Sequence, residues 1–345
     1  MGLVSLNSSF LIHTSSFPRC LLPSPAVSEQ PTARLIPAIV GPTASGKSDL
    51  GIRLALAFDG EIINLDSVQV YRGIQIATAK VPFDERRGVP HHLIDIVEPT
   101  ANFTAGEYAR EASETIEEIE ARGLMALLVG GTGFYLRALV SPLFESQPTD
   151  LRLRERLSRR RDERGPQYLH RLLSRIDPRA GARISPRDWS RSMRALEFFF
   201  QTGQRITDQQ PDMPPPPEFA ARVRVIALSP PREELYDRIN RRAAAMFEQG
   251  LVEEVQSLVA AGTPITAKAF QAHGYRRVVE YLQGKRSRED ALNQMKLDTR
   301  HYAKRQLSWW RAWPGVKWIN RFGDEDEAFT EASDYLHAQE AAARG

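Results

Sequence analysis

Apolar residues along this chain fall into short continuous runs, separated by glycine-bearing loops and by stretches with helical periodicity. That alternation predicts a parallel sheet covered by helices. Residues 35–40, 61–65, 125–129 and 223–228 read as buried strands. Residues 91–96 predict a further strand, and 316–319 a last strand at the sheet edge. Helical spacing predicts helices over 49–57 and 104–121, the second opened by Thr104 with Glu107 three residues on, a capping box. Between 142 and 202 the strand–helix alternation stops, and helices are predicted over 151–164, 167–175 and 189–201. A linker is expected over 208–218, where Pro214 to Pro217 exclude regular structure. Helices then follow over 232–249, 252–261, 275–282 and 288–313, and the acidic end is expected to fray. The expected organisation is a tail over 1–34, an α/β core over 35–141 and 203–320, a helical insertion over 142–202, and an acidic tail over 321–345.

Charge changes this picture more than composition does. A hydrophobic fraction of 42% is ordinary, and no apolar run approaches the ~18 residues of a membrane helix, so no membrane partner is expected. Cys20 is the only cysteine and lies outside the expected fold, which excludes a disulfide scaffold and fits a reducing compartment. Net charge is only +3, yet residues 150–194 hold 14 Arg against 6 acids. Arg outnumbers Lys 39 to 7 throughout, which accounts for the choice of arginine but not for its concentration in one segment. That local excess points to a nucleic-acid-facing region. Residues 1–34 are rich in Ser and Pro with Glu29 as the single acid, a composition that fits either a disordered tail or an organelle transit peptide. Localisation is accordingly expected to be cytoplasmic, or plastid or mitochondrial if the tail is a transit peptide.

The sharpest chemical signal is Gly41-Pro42-Thr43-Ala44-Ser45-Gly46-Lys47-Ser48, set between a strand and a helix. The pattern is a P-loop: successive backbone N–H groups converge on an anion at a helix N-terminus, a lysine adds charge, and the Ser48 hydroxyl suits Mg²⁺. The fold class is therefore α/β, a P-loop NTPase-like parallel sheet flanked by helices, with an all-helical insertion. In an open parallel sheet, residues just past the carboxyl ends of strands line the ligand crevice. Asp66 follows one strand and Thr132 another, so both are expected at the same mouth as the P-loop. Asp66 reads equally as a general base, as a carboxylate behind a metal, or as a helix N-cap. His91 and His92 are adjacent on a strand and point to opposite faces, which favours structural roles over a metal site.

Taken together, several segments resemble the tRNA dimethylallyltransferases (isopentenyl-tRNA transferases) of bacterial type. They are residues 41–48 (GPTASGKS), 66–73 (DSVQVYRG), 78–80 (TAK), 127–135 (LLVGGTGFY), 191–197 (RSMRALE), 273–276 (HGYR) and 303–311 (AKRQLSWWR). The resemblance runs in order over about residues 35–320. It implies transfer of a dimethylallyl group from dimethylallyl diphosphate to N6 of the adenosine 3′ of the anticodon in tRNA. The anticodon stem-loop would be the macromolecular partner, Mg²⁺ the cofactor, and the chain would act as a monomer. The P-loop, with Lys47 catalytic, would hold the diphosphate, and Asp66 would be the general base. Asp66, Ser67, Val68 and Gln69 would contact the target adenosine, with Thr132 at the same channel. Further tRNA contacts would be Arg154, then Ser190, Arg191, Ser192, Met193 and Arg194, and finally Gln271, Ala272, His273, Gly274, Tyr275 and Arg276. Arg300 would either join the phosphate site or form a helix salt bridge, and Tyr71, Phe134 and Tyr135 would either line the channel or fill the core. Ser190 departs from a usual amide and His273 from a usual aliphatic residue. No cysteines of a C-terminal zinc finger are present.

Three other readings stay open at this level. A P-loop kinase of a small metabolite would use the same loop, although no arginine-bearing lid is identifiable. An adenylate isopentenyltransferase would share the chemistry but not need the basic helices. An RNA-binding protein without activity would not need Lys47, Ser48, Asp66 and Thr132 together.

Overall fold

The computed structural model describes residues 34–141, 148–208 and 215–344. In chain order the elements are β1 Ile36–Val40, α1 Lys47–Ala57, β2 Gly60–Leu65, β3 His91–His92, α2 Ala105–Ala121, β4 Met125–Gly130 and α3 Gly133–Val140. Four helices follow: α4 Leu151–Arg164, α5 Tyr168–Ile176, α6 Pro178–Arg183 and α7 Trp189–Thr202. The chain then returns through β5 Val223–Leu228, α8 Arg232–Glu248, α9 Leu251–Ala260, α10 His273–Leu282, α11 Arg288–Arg311, β6 Lys317–Ile319 and α12 Asp326–Arg344.

All six strands are parallel, in the order β3-β2-β4-β1-β5-β6. Every residue of β1 is buried, because it sits in the middle of the sheet with helices on both faces. Alternation along the strand divides its side chains. Ile36, Ala38 and Val40 pack with Tyr108, Ile116 and Trp310 on one face, while Ile39 packs with Leu50, Leu54 and Leu336 on the other. Because β2, β4 and β1 are neighbours, the loops that leave their carboxyl ends are neighbours too. This adjacency builds the site.

Helices α4 to α7 enclose their own apolar cluster, with Leu153, Leu157, Leu169, Leu173, Met193 and Leu196 at its centre. The described residues nevertheless form one compact unit. A further cluster joins α8, α9, α10 and α11 to Val70, Tyr71 and Ile74, which places those helices over the segment that follows Asp66.

The structure departs from the sequence-based expectation in four places. The strand expected at 91–96 has two residues, since Leu93 and Asp95 adopt φ of 57° and 56°, incompatible with extended pairing. Helices α3 and α6 were not anticipated, α6 being a single short turn-and-a-half started by Pro178 at its N-terminus. The acidic end does not fray: α12 buries Ala328, Ala332 and Leu336 against the α1 side of the sheet. Those three positions recur every four residues and make an apolar stripe hidden among acids. The expectations for residues 1–33 and for the centre of the proline linker, 209–214, lie outside the described residues. Among the described residues no helix is long and apolar enough to cross a membrane.

Candidate active site

The P-loop leaves β1 at Gly41, whose φ of 144° and close approach to the Leu228 carbonyl (2.8 Å from where a Cβ would stand) leave no room for a side chain. It enters α1 through Gly46, an N-cap in the left-handed region with no side-chain cap bond, so the first N–H groups of α1 are available to an anion. Ser45 Oγ donates to the Pro42 carbonyl at 2.8 Å and Lys47 Nζ to the same oxygen at 2.6 Å. From behind, Gly323 N–H donates to the Ser45 carbonyl at 2.8 Å, so the turn after β6 braces the loop. Gln306 of α11 accepts Thr43 N–H at 2.9 Å and donates to the Gly131 carbonyl at 3.0 Å, tying the P-loop to the loop after β4.

Asp66 stands at the end of β2. Its N–H donates to Asn64 Oδ1 at 3.1 Å, and its own Oδ1 accepts Val68 N–H at 2.8 Å. That second bond closes a turn rather than capping the short helix expected as an alternative, since residues 67–70 are turn, and it fixes the carboxylate without occupying both of its oxygens. Thr132 Oγ1 accepts Ser67 N–H at 3.0 Å, and the Tyr302 hydroxyl sits beside Thr132. Asp66, Ser67, Val68, Gln69, Thr132 and residues 43–48 line one crevice of about 930 Å³. Phe134 is half exposed on its wall, whereas Tyr71 and Tyr135 are largely buried, Tyr135 stacked on Tyr108 at 4.2 Å.

Two cations face Asp66 in this crevice. Burial lowers the Lys47 ammonium to about 8; Asp66 pulls it back up, and Arg242 pushes it further down. Burial likewise lowers the Arg242 guanidinium, and Asp66 opposes that shift. Arg242, on α8, was not anticipated, because in an arginine-rich chain nothing local marks one helical arginine as inward-facing. Tyr302 and Gln306, both on α11, were also missed as individual residues, although both lie on or beside the 303–311 segment.

The residues expected to touch RNA divide. Gln271, Ala272, His273 and Gly274 line the crevice, with Gln271 and Arg276 exposed. Burial and the neighbouring Arg305 lower the His273 imidazole. Ser190 and Arg191 are exposed at the start of α7. Three expected contacts need correction, since Ser192, Met193 and Tyr275 are buried and their side chains belong to the interior. Arg154 is half-buried and bidentate to the buried Glu197, at 2.9 and 2.8 Å, and Arg194 also donates to Glu197. Burial raises the Glu197 carboxyl, but these arginine bonds hold it below the usual range. Arg154 therefore anchors α4 to α7 in this structure. Arg300 forms no helix salt bridge among the described residues and lies over the Tyr236 ring at 5.8 Å, with its Nε buried and unpartnered. His92 bonds Glu61 at 2.6 Å, a structural placement as expected.

Among the described residues no three His, Cys, Asp or Glu side chains converge as a metal cluster. Ser48 lines the crevice at the P-loop. A hard divalent cation such as Mg²⁺ fits this arrangement, since it needs only one or two protein oxygens when phosphate and water complete its shell.

The chain is similar to known proteins over most of its length. The family described as IPP transferase matches residues 69–313. A tRNA dimethylallyltransferase of Koribacter versatilis is 48% identical, over 88% of this chain and 98% of the relative. One from Solibacter usitatus is 45% identical over 86% of this chain and 96% of the relative. The solved tRNA isopentenylpyrophosphate transferase of Bacillus halodurans superposes with a TM-score of 0.67 at 37% identity, covering 90% of this chain and 98% of its own. A eukaryotic dimethylallyltransferase solved acting on tRNA gives a TM-score of 0.67 at 30% identity, over 80% of this chain and 70% of the other.

Proposed function

The chain belongs to the tRNA dimethylallyltransferase (IPP transferase) family, and from that premise we propose how its crevice carries out the reaction. The enzyme prenylates adenosine 37 of tRNA. The observation that carries the site assignment is the meeting of three neighbouring loops, 41–48, 66–69 and 130–132, at one mouth of the sheet.

The diphosphate of dimethylallyl diphosphate lies in the P-loop, against the free N–H groups of α1, Lys47 and Arg242. These groups are aimed where negative charge grows as the allylic C–O bond breaks, so they favour the transition state over bound donor. Adenine N6 is a weak nucleophile because its lone pair is delocalised into the ring. As N6 attacks the allylic carbon, Asp66 accepts one N6 proton, the new C–N bond forms, and diphosphate departs with the electrons of the C–O bond. Proton removal of this kind contributes typically ~10²–10⁴-fold. When Mg²⁺ is bound, Ser48 would hold it beside the diphosphate, where it would supply further charge neutralisation. The target base leaves its stack in the anticodon loop, with Phe134 and residues 271–274 at the crevice wall to receive it. Ser190, Arg191 and the exposed arginines of α4 supply sequence-independent hold on the backbone.

The test uses unmodified anticodon stem-loop RNA, Mg²⁺ and dimethylallyl diphosphate, with labelled ATP in a parallel reaction. The expected result is a mass gain of one prenyl group on the RNA with ATP intact. Prenylation of AMP instead of RNA would move the assignment to a free-nucleotide enzyme, and ATP turnover alone would make it a kinase.

Lys47 gives the donor site a pH signature. In the free protein the ammonium is lost as pH rises through about 8. Above that point diphosphate binding has to take up a proton, so donor affinity is expected to fall towards tenfold per pH unit. An ordinary lysine would hold its affinity to about pH 10. Titrating the donor Kd between pH 7 and 9.5 without RNA checks this, and a flat profile would remove Lys47 from the site.

A further inference from the structure

Glu254 lies on α9, outside the crevice, yet its carboxylate holds a segment that lines it. Oε2 accepts Gln75 N–H at 3.1 Å and Ile76 N–H at 3.0 Å. Oε1 accepts the Tyr275 hydroxyl, and that hydroxyl in turn accepts Ala77 N–H at 3.3 Å. Gly274, next to Tyr275, packs so closely that a Cβ there would stand 2.7 Å from Ala77 Cβ. Three successive N–H groups of an irregular segment are thus satisfied by one carboxylate and one phenol, both from helices about 180 or more residues further along the chain. Backbone groups away from regular structure need such partners, and charged acceptors make the stronger bonds.

The held segment continues into Thr78 and Ala79, whose carbonyls accept Gln69 Nε2 at 3.1 and 3.5 Å. A carbonyl only accepts, so the nitrogen end of the Gln69 amide must face the segment. What Gln69 has left to offer the crevice is its oxygen, an acceptor, three residues from Asp66. An adenine N6 amine carries two protons. One goes to Asp66, and the other meets an acceptor of fixed orientation. A 6-oxopurine would bring its own acceptor against that oxygen.

We propose that Glu254 is a positioning residue for base selection: with Tyr275 it sets residues 75–79 so that Gln69 presents its amide oxygen to the target base, favouring a 6-aminopurine over a 6-oxopurine. This rests on the prenyltransferase reading above and adds to it a residue that touches neither substrate. The chemistry is economical, because one non-local carboxylate fixes which end of an otherwise reversible amide faces the base.

The experiment measures Kd for two anticodon stem-loops, one with adenosine and one with inosine at the target position, on the full chain. Wild type is expected to prefer adenosine by more than about tenfold, because a 6-oxo group meets both the Asp66 carboxylate and the Gln69 oxygen, each on the scale of one hydrogen bond replaced by an acceptor clash. Tyr275→Phe keeps the buried ring and removes only the hydroxyl; Glu254→Gln keeps the shape and halves the acceptor capacity. Both are expected to lower the adenosine-to-inosine ratio about fivefold, leaving the share that Asp66 supplies, with the salt dependence of RNA binding unchanged. Gln69→Met should give the same ratio, and Gln69→Met/Tyr275→Phe should be no worse than Gln69→Met alone, since the two act through one amide. Working well below each variant's Tm separates selection from folding. A wild-type ratio in folded Tyr275→Phe and Glu254→Gln would overturn the proposal, as would strict additivity in the double variant. Wild type that fails to prenylate the adenosine loop at all would instead count against the prenyltransferase reading.

Discussion

Asp66→Asn is expected to bind RNA normally and to lose prenyl transfer, with kcat down ~10²–10⁴-fold. The substitution is close to a clean probe. Asparagine keeps an oxygen for Val68 N–H, which Asp66 Oδ1 accepts at 2.8 Å, so the turn after β2 survives. What it cannot do is take a proton from N6. A second signature follows from the charges around it. Asp66 raises the Lys47 ammonium against the effects of burial and Arg242, so removing its charge lets Lys47 drop below about 8. The midpoint of the donor-binding pH profile should therefore move down in Asp66→Asn. Single-turnover kinetics with bound RNA measures the first effect and a donor titration the second. Unchanged turnover would take Asp66 out of the mechanism.

How much of this was legible in the sequence depends on how local each signal is. The P-loop was, because strand, glycine turn, lysine and helix follow one another within about twenty residues and each has a compositional mark. Asp66 and Thr132 were placed by one further step, since residues just past strands of a parallel sheet share a mouth. The strand order puts β2, β4 and β1 side by side, which brings those loops together. The remainder depends on where distant helices come back. Gln306 joins two crevice loops from α11, and Glu254 holds a third segment from α9; neither differs in sequence from a solvated helical residue. Arg154 is paired with the buried Glu197, a carboxylate whose interior position no periodicity could reveal. The acidic end looked unstructured because seven acids mask a stripe of Ala328, Ala332 and Leu336.

Arg242 is the inward-facing arginine that sequence could not pick out, and Arg242→Ala is expected to cost ~10²–10³-fold in kcat/KM for the donor. Burial lowers this guanidinium, and Asp66, which opposes the shift, is also what supports the partly desolvated Lys47 nearby. Two cations against one carboxylate leave a surplus of positive charge in a confined space. Such an arrangement opposes folding unless something else is gained, and an arriving diphosphate neutralises it. Removing Arg242 should therefore weaken donor binding and transition-state stabilisation while leaving Tm unchanged or slightly raised. It also relieves the pressure that lowers Lys47, so the pH midpoint of donor binding should move up from about 8. Asp66→Asn moves the same midpoint down. Opposite shifts from two single substitutions would establish that Asp66, Lys47 and Arg242 act as one electrostatic unit around the leaving group. Shifts of the same sign, or donor affinity unchanged in Arg242→Ala, would mean that the guanidinium faces the crevice without touching the diphosphate. Arg242→Lys separates charge from geometry: an ammonium restores the midpoint to about 8 but not the planar donor fork, so it should recover the pH profile and only part of the rate.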